Sequence, residues 1–380
     1  MLDLSKIRDD IDATDKEIVA LFEKRMKLCE DVAEYKIENG KEVLDVTREK
    51  QKLDKVTGLT HNSFNRKCVE ELFKQLMAMS RKKQYQLLAE HNIKDRIDEV
   101  ISFNQIDDIT AGNPKVVYQG LPGAYAHDAV CQYFGEECDM HYVESWRDAM
   151  EEVRDGKADY AVLPIENSTA GIVSQVYDLL VEYDNYIVAE TFVKVEHALL
   201  GTSDAAIEDI ERVYSHPQSL MQSAKFLEEH REWQQISLSN NAVSAKKVAD
   251  DNDKSKAAIA SVRAGKLYGL KVLKEKINYS DVNTTRFVIV GKNKEYQKDA
   301  SKVSICFELA HESGSLYDML SHVIFNNLNM TSIESRPIED RKWEYRFFVD
   351  FEGKLGEAAV RNALKGIGVE ALKLKILGNY

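Results

Sequence analysis

No apolar run in the 380 residues approaches the ~18–20 that a membrane-spanning helix needs, and the N-terminus is charged within a few residues, at Asp3. A soluble, cytoplasmic protein is expected. Cysteine is scarce: Cys29, Cys68, Cys131, Cys138 and Cys306 are odd in number, scattered, and never at Cys-x-x-Cys spacing, which argues for reduced, mostly buried thiols. With 5 Pro and 18 Gly against 44% hydrophobic residues, the composition excludes disordered or collagen-like chains. No Gly-x-Gly-x-x-Gly follows a strand, which argues against a nicotinamide-dependent dehydrogenase. Positive charge is also short. With 51 Lys+Arg against 64 Asp+Glu the formal charge is -13, so the average surface repels nucleic acid and anionic membranes. An anionic substrate must therefore be met by locally clustered Arg and Lys.

Such a cluster lies near the start. Ile7, Ile11, Thr14, Ile18, Leu21, Arg25, Leu28, Val32 and Tyr35 advance in alternating steps of four and three, the stripe of a helix at near-heptad spacing. It runs from Asp3 or Ser5 to the stop at Asn39-Gly40, roughly 50 Å at ~1.5 Å per residue, longer than a small domain needs. Pairing with a second chain is expected. Arg25 falls on the stripe and Lys36 follows its last member, and a buried cation needs a partner. A lone arginine there is more often an interhelical salt bridge, but these cations are not alone. A second helix opens at Val43–Glu49 with Asp45, Arg48 and Glu49 within one turn. A third, from Asn62 to Leu88, has Ser80 and Gln84 interrupting the apolar positions Val69, Phe73 and Leu76.

Together Arg8, Arg25, Lys36, Asp45, Arg48, Glu49, Ser80 and Gln84 resemble the active-site set of the all-helical chorismate mutases. Their reaction is an intramolecular rearrangement, so a site need only hold the compact conformer and stabilise charge on the ether oxygen. The resemblance implies that Arg25, Arg48 and Arg8 bind the two carboxylates, Lys36 and Gln84 face the ether oxygen, and Glu49 with Asp45 takes the ring hydroxyl. It also implies an intertwined dimer of three-helix chains in which Arg8 reaches across from the partner. No cofactor and no metal are implied.

The weakly periodic stretch 93–113 is read as a linker. After it, Lys115–Gln119 reads as a buried strand ending in the turn Gly120–Tyr125, whose amides could hold a carboxylate. The form repeats at Tyr160–Leu163 followed by Pro164–Gly171, where Asn167, Ser168 and Thr169 offer donors at a helix start. It repeats again at Val213–Ser215 followed by His216-Pro217-Gln218. Then come Asn240-Asn241, the strand Ala257–Ala260, and Asn283-Thr284-Thr285-Arg286-Phe287. Pro-Ile-Glu-Asn-Ser, His-Pro-Gln and Asn-x-Thr-Arg-Phe in this order resemble the prephenate dehydratases over about Pro114 to Gly291. That implies two α/β lobes with the site between them, similar to periplasmic-type binding proteins. Loss of carbon dioxide and hydroxide from prephenate needs a donor at the departing hydroxide, a role the resemblance gives to Thr285. Asn167, Ser168, Thr169, His216, Gln218, Asn241, Asn283 and Arg286 are read as substrate-binding. Where relatives often have Ser after the aromatic residue of the first glycine turn, this chain has Ala126.

From residue 299 to 380 the pattern reads βαββαβ, which resembles an α+β ACT regulatory module. Gly314-Ser315-Leu316 opens its first helix and Glu334-Ser335-Arg336-Pro337 ends its second strand, both matching phenylalanine-binding motifs, with Ser315 where Ala is commoner. The expectation is a bifunctional enzyme with a mutase domain at 1–92, a dehydratase domain at 114–298 and a regulatory domain at 299–380. Its partners would be chorismate, prephenate, the effector L-phenylalanine and further copies of the chain in a dimer or tetramer.

Overall fold

The computed structural model describes residues 3–91, 100–339 and 341–380. The N-terminal region is helical: α1 (Leu4–Glu38), α2 (Val46–Thr57) and α3 (Ser63–Glu90). Asp3 caps α1 through the Ser5 and Lys6 amides, and Asp45 caps α2 through the Arg48 amide. The stripe on α1 is bare in the single chain. Leu21 is 65% exposed, and Ile11, Ile18 and Leu28 are each more than half exposed.

From Asn104 strands and helices alternate, as β1 (Asn104–Ile106), β2 (Val116–Gln119), α4 (Tyr125–Phe134), β3 (Met140–Val143), α5 (Trp146–Arg154), β4 (Tyr160–Asn167), β5 (Gly171–Ile172), α6 (Ser174–Glu182) and β6 (Tyr186–Lys194). Next come β7 (Ala198–Gly201), β8 (Arg212–Ser215), α7 (Pro217–Gln222), α8 (Ala224–Leu227), β9 (Gln234–Ser237), α9 (Asn241–Asp251), β10 (Lys256–Ala260), α10 (Val262–Leu267), β11 (Lys271–Lys274), β12 (Thr284–Gly291) and β13 (Glu295–Gln297). The C-terminal part is β14 (Lys302–Glu308), α11 (Ser315–Phe325), β15 (Met330–Pro337), β16 (Tyr345–Glu352), α12 (Ala358–Glu370) and β17 (Lys373–Asn379).

The chain forms two compact units, Met1–Ser102 with Lys302–Ile376, and Phe103–Ser301 with Leu377–Tyr380. In the first, the strands order as β15-β16-β14-β17, the expected βαββαβ pattern, with β15 at the edge. Phe307, Phe348, Phe351, Val360, Leu364 and Ile367 fill its core.

The second unit has two lobes. One holds the sheet order β6-β12-β4-β2-β3, the other β11-β7-β10-β8-β9. Strands such as β2 and β10 are apolar without alternation because helices cover both faces of the sheets. The chain crosses between lobes after β6 and before β12, and the crossings bond to each other through Val195 N to Asn283 O at 2.8 Å and His197 N to Asn278 Oδ1 at 3.1 Å.

Three expectations are corrected. The stretch 93–113 lies outside the described residues as far as 99, and beyond that it is no bare tether, because β1 pairs in parallel with β13. The strand expected at Tyr160–Leu163 continues to Asn167, since β12 runs antiparallel beside it through Thr285. Asn167, Ser168 and Thr169 therefore end a strand, and the helix begins later, at Ser174.

Candidate active sites

The first candidate site lies among the N-terminal helices. The Arg25 guanidinium donates to Ser80 Oγ and, at 3.0 Å, to Leu76 O, so the cation on the α1 stripe is held by the polar interruption on α3. Lys36 Nζ donates to Val43 O. Burial holds the Lys36 ammonium below its ordinary pKa, against the opposing pull of Asp45 and Glu49, which places both carboxylates within electrostatic reach of it. Gln84 is buried, and its Oε1 has no partner among the described residues. Glu49 receives the guanidinium of Arg81, a residue the sequence motifs did not single out. Asp45 accepts the Arg48 amide at 2.9 Å as the cap of α2, while the Arg48 side chain is exposed. Arg8 is exposed on α1, about 25 Å along the axis from Arg25 at ~1.5 Å per residue. One chain cannot bring both arginines to one small molecule.

The second candidate site is a directed chain of hydrogen bonds ending at Thr285 on β12. Burial keeps the His197 imidazole below its ordinary pKa and therefore neutral. Its Nε2 faces Gln222 Oε1 at 2.9 Å and its Nδ1 faces the Tyr125 hydroxyl at 2.8 Å. Gln222 Nε2 donates to Thr169 Oγ1 at 2.8 Å, so its oxygen is left to accept from the imidazole. Thr169 donates to Asn167 Oδ1 at 2.8 Å, and Asn167 Nδ2 donates both to Asn283 Oδ1 at 2.8 Å and to Thr285 Oγ1 at 2.9 Å. Thr285 is thus held as an acceptor, and its own hydroxyl proton stays available for another oxygen. Asn283 Nδ2 is a second buried donor with no partner among the described residues.

The remaining motif residues divide by environment. Ser168 clips β4 to β12, accepting the Thr284 amide at 3.0 Å and donating to Val282 O at 2.9 Å. His216 caps α7, its Nδ1 accepting the Gln218 amide at 3.2 Å. Asn241 is buried and binds Ser219 Oγ at 3.0 Å and the His216 amide at 3.3 Å, bracing the second lobe. Arg286 is a correction. Successive residues of a strand face opposite sides, so its guanidinium lies away from Thr285 and is buried against Glu190 Oε2 at 2.7 Å and Tyr380 Oη at 2.8 Å. It anchors residue 380 to the sheet and is not placed to bind substrate. Tyr125, His197 and Gln222 were not singled out from the sequence. The buried polar Gln222 at the end of α7 is a local sign of the cluster, and Tyr125 stands in the sequence only as the end of the glycine turn.

Gly314, in the left-handed region with φ 91°, precedes α11, and Ser315 Oγ donates to Glu312 O at 3.0 Å. Leu316 is half-buried on the first turn. Glu334 and Arg336 share the half-buried face of edge strand β15, with Ser335 and Pro337 on the exposed one. Among the described residues no cluster of His, Cys, Asp or Glu could hold a metal ion, and no helix is long and apolar enough to cross a membrane.

Comparison with known proteins separates the same regions. The family model for chorismate mutase type II matches residues 7–85, and that for prephenate dehydratase matches 116–295. The bifunctional chorismate mutase/prephenate dehydratase of Buchnera aphidicola subsp. Schizaphis graminum is 31% identical over 384 residues, covering 100% of this chain and 96% of its own length. Among solved structures, one described as "GqqA- a novel type of quorum quenching acylases" is 29% identical with a TM-score of 0.65, covering 70% of this chain and 97% of that one. The prephenate dehydratase of Arthrobacter aurescens in complex with L-Phe is 27% identical with a TM-score of 0.64, covering 70% of this chain and 89% of that one.

Proposed function

The chain belongs to the bifunctional chorismate mutase/prephenate dehydratases, and from that premise we propose how its residues carry the two reactions. It is an isomerase and a lyase of phenylalanine biosynthesis. The rearrangement of chorismate breaks the ether C–O bond as a C–C bond forms, with no group leaving the molecule. Arg25, Arg48 and a second chain's Arg8 bind the carboxylates, Lys36 and Gln84 meet the ether oxygen, Ser80 steadies Arg25, and Glu49 with Asp45 takes the ring hydroxyl. The joined Arg25 and Ser80, and the partly desolvated Lys36, support this assignment. The bare stripe of α1 and the distance from Arg8 to Arg25 support a homo-oligomer built on α1.

In the dehydratase the carboxylate C–C bond breaks, its electron pair enters the ring, the C–OH bond breaks, and the departing hydroxide takes a proton to leave as water. Thr285 donates to that oxygen. The observation that carries this role is the polarity of the Asn167–Thr285 bond, which leaves the hydroxyl proton free to be donated. Asn283 Nδ2 supplies a further donor to the substrate. Ser168, Thr169, His216, Gln218 and Asn241 act through the loops that shape the cleft. The 299–380 segment serves as an ACT-type regulatory domain after the 1–92 mutase and 114–298 dehydratase domains. L-Phenylalanine bound at Gly314-Ser315-Leu316 and Glu334-Ser335-Arg336-Pro337 inhibits the dehydratase, and the protein acts in the cytoplasm.

The test is to incubate purified protein with chorismate and follow prephenate and phenylpyruvate by mass spectrometry, with and without L-phenylalanine. Phenylpyruvate formation that declines with phenylalanine is expected. Accumulation of prephenate alone would confine catalysis to the helical region, and no turnover would favour a ligand-binding protein.

A further inference from the structure

Arg81 stands outside every motif that carries the family reading, yet it lies on α3 one residue after Ser80 and three before Gln84. Its side chain is 12% exposed. One outer nitrogen donates to Glu49 Oε2 on α2, and the other donates to Glu370 Oε1, the last residue of α12, at 2.7 Å. The second oxygen of Glu370 lies 3.2 Å from His322 Nε2 on α11. The charges of Glu370 and Glu49 raise the Arg81 pKa in spite of its burial, so the guanidinium is permanently charged. A planar fork with both outer nitrogens engaged cannot swing without breaking a charge-assisted bond.

We propose that Arg81 is a positioning residue of the mutase, which fixes the Glu49 carboxylate and makes that fixing depend on Glu370 of the C-terminal segment. The proposal rests on the reading that Glu49 meets the substrate hydroxyl. It assigns the mutase a dependence on a residue 321 positions from Glu49 in sequence, one that touches no substrate. With Glu370 gone, Arg81 keeps one anchor, and Glu49 samples orientations that do not hold the compact conformer of chorismate.

The test uses the full chain and the mutase kinetics of Glu370→Gln, Arg81→Lys, Arg81→Met, the double variant Arg81→Met/Glu370→Gln, and Glu49→Gln. Glu370→Gln, which keeps shape and removes charge, is expected to lower kcat about tenfold, the scale of one charged hydrogen bond, with the chorismate KM changed less than twofold. Arg81→Lys, a point charge able to reach one carboxylate only, should match Glu370→Gln. The double variant should be no worse than Arg81→Met, because both act through one connection. Wild-type kcat in Glu370→Gln, or losses that multiply in the double variant, would overturn the proposal. If Glu49→Gln itself keeps wild-type kcat, the underlying placement of Glu49 fails instead, so the two failures are told apart. Should Arg81→Met fold poorly, Glu370→Gln and Arg81→Lys decide alone.

Discussion

Thr285 and Arg286 are adjacent in sequence, yet the strand pleat sends one into the polar cluster with Asn167 and the other into a buried ion pair with Glu190. Substitutions should separate them accordingly. Thr285→Val keeps shape and removes the donor, so dehydratase kcat should fall by about 10²-fold or more while mutase kinetics stay unchanged, and Thr285→Ser should restore much of the loss. Coupled spectrophotometric assays of both reactions read this. Arg286→Ala strips Glu190 of a buried partner and should cost about 3–5 kcal/mol of stability, seen as a lower melting temperature, with little change in the prephenate KM below that temperature. A raised KM with unchanged stability would return Arg286 to the substrate. Lys36 makes a third test through its depressed pKa. If Lys36 meets the ether oxygen as proposed, its ammonium must be protonated to donate, so mutase activity should be lost as pH rises through a value below that of an ordinary lysine. Lys36→Gln should abolish that alkaline limb in the kcat/KM profile.

At the scale of elements, the glycine turn between β2 and α4 is where one lobe of the second unit meets the other. Gly123 has φ +91°, and a Cβ there would lie 2.8 Å from Ala264 Cα on α10. Ser261 Oγ donates to Gly123 O at 2.9 Å, so the turn is held on both counts. Gly123→Ala therefore combines left-handed strain with overpacking, roughly 2–4 kcal/mol, and should lower the calorimetric transition of the dehydratase by about 5–10 °C. Most elements were legible because their periodicities are strong: the stripe of α1 has 3.5-residue spacing, and the central strands are unbroken apolar runs. The Arg25–Ser80 contact was legible for a related reason, since both residues interrupt stripes that would otherwise be apolar. What escaped was set by long-range pairing. Nothing local says that β12 extends β4 to Asn167, and nothing local joins Gln222 to Thr169 or Arg81 to Glu370. Arg286 was misread because a motif records which residues occur together, whereas the pleat decides which face each one takes.

For the whole molecule the deciding feature is α1, whose apolar stripe is bare in one chain and whose Arg8 lies too far from Arg25 to share a ligand with it. If each mutase site takes Arg25 from one chain and Arg8 from another, Arg8→Ala and Arg25→Ala homodimers are both inactive, for different reasons. Unfolding and refolding them together makes hybrid dimers, and in each hybrid one site has both arginines while the other has neither. Random exchange at equal concentrations puts half of the dimers in the hybrid form with one competent site of two, so mutase activity should return to about a quarter of wild type. Dehydratase activity, carried by the other unit of each chain, should stay at its starting value and normalise the recovery. If activity stays at the sum of the two parents, Arg8 does not complete a neighbour's site. The bare stripe would then serve assembly alone. A recovery near one quarter would mean that the length of α1 exists to carry a catalytic cation across to the second chain.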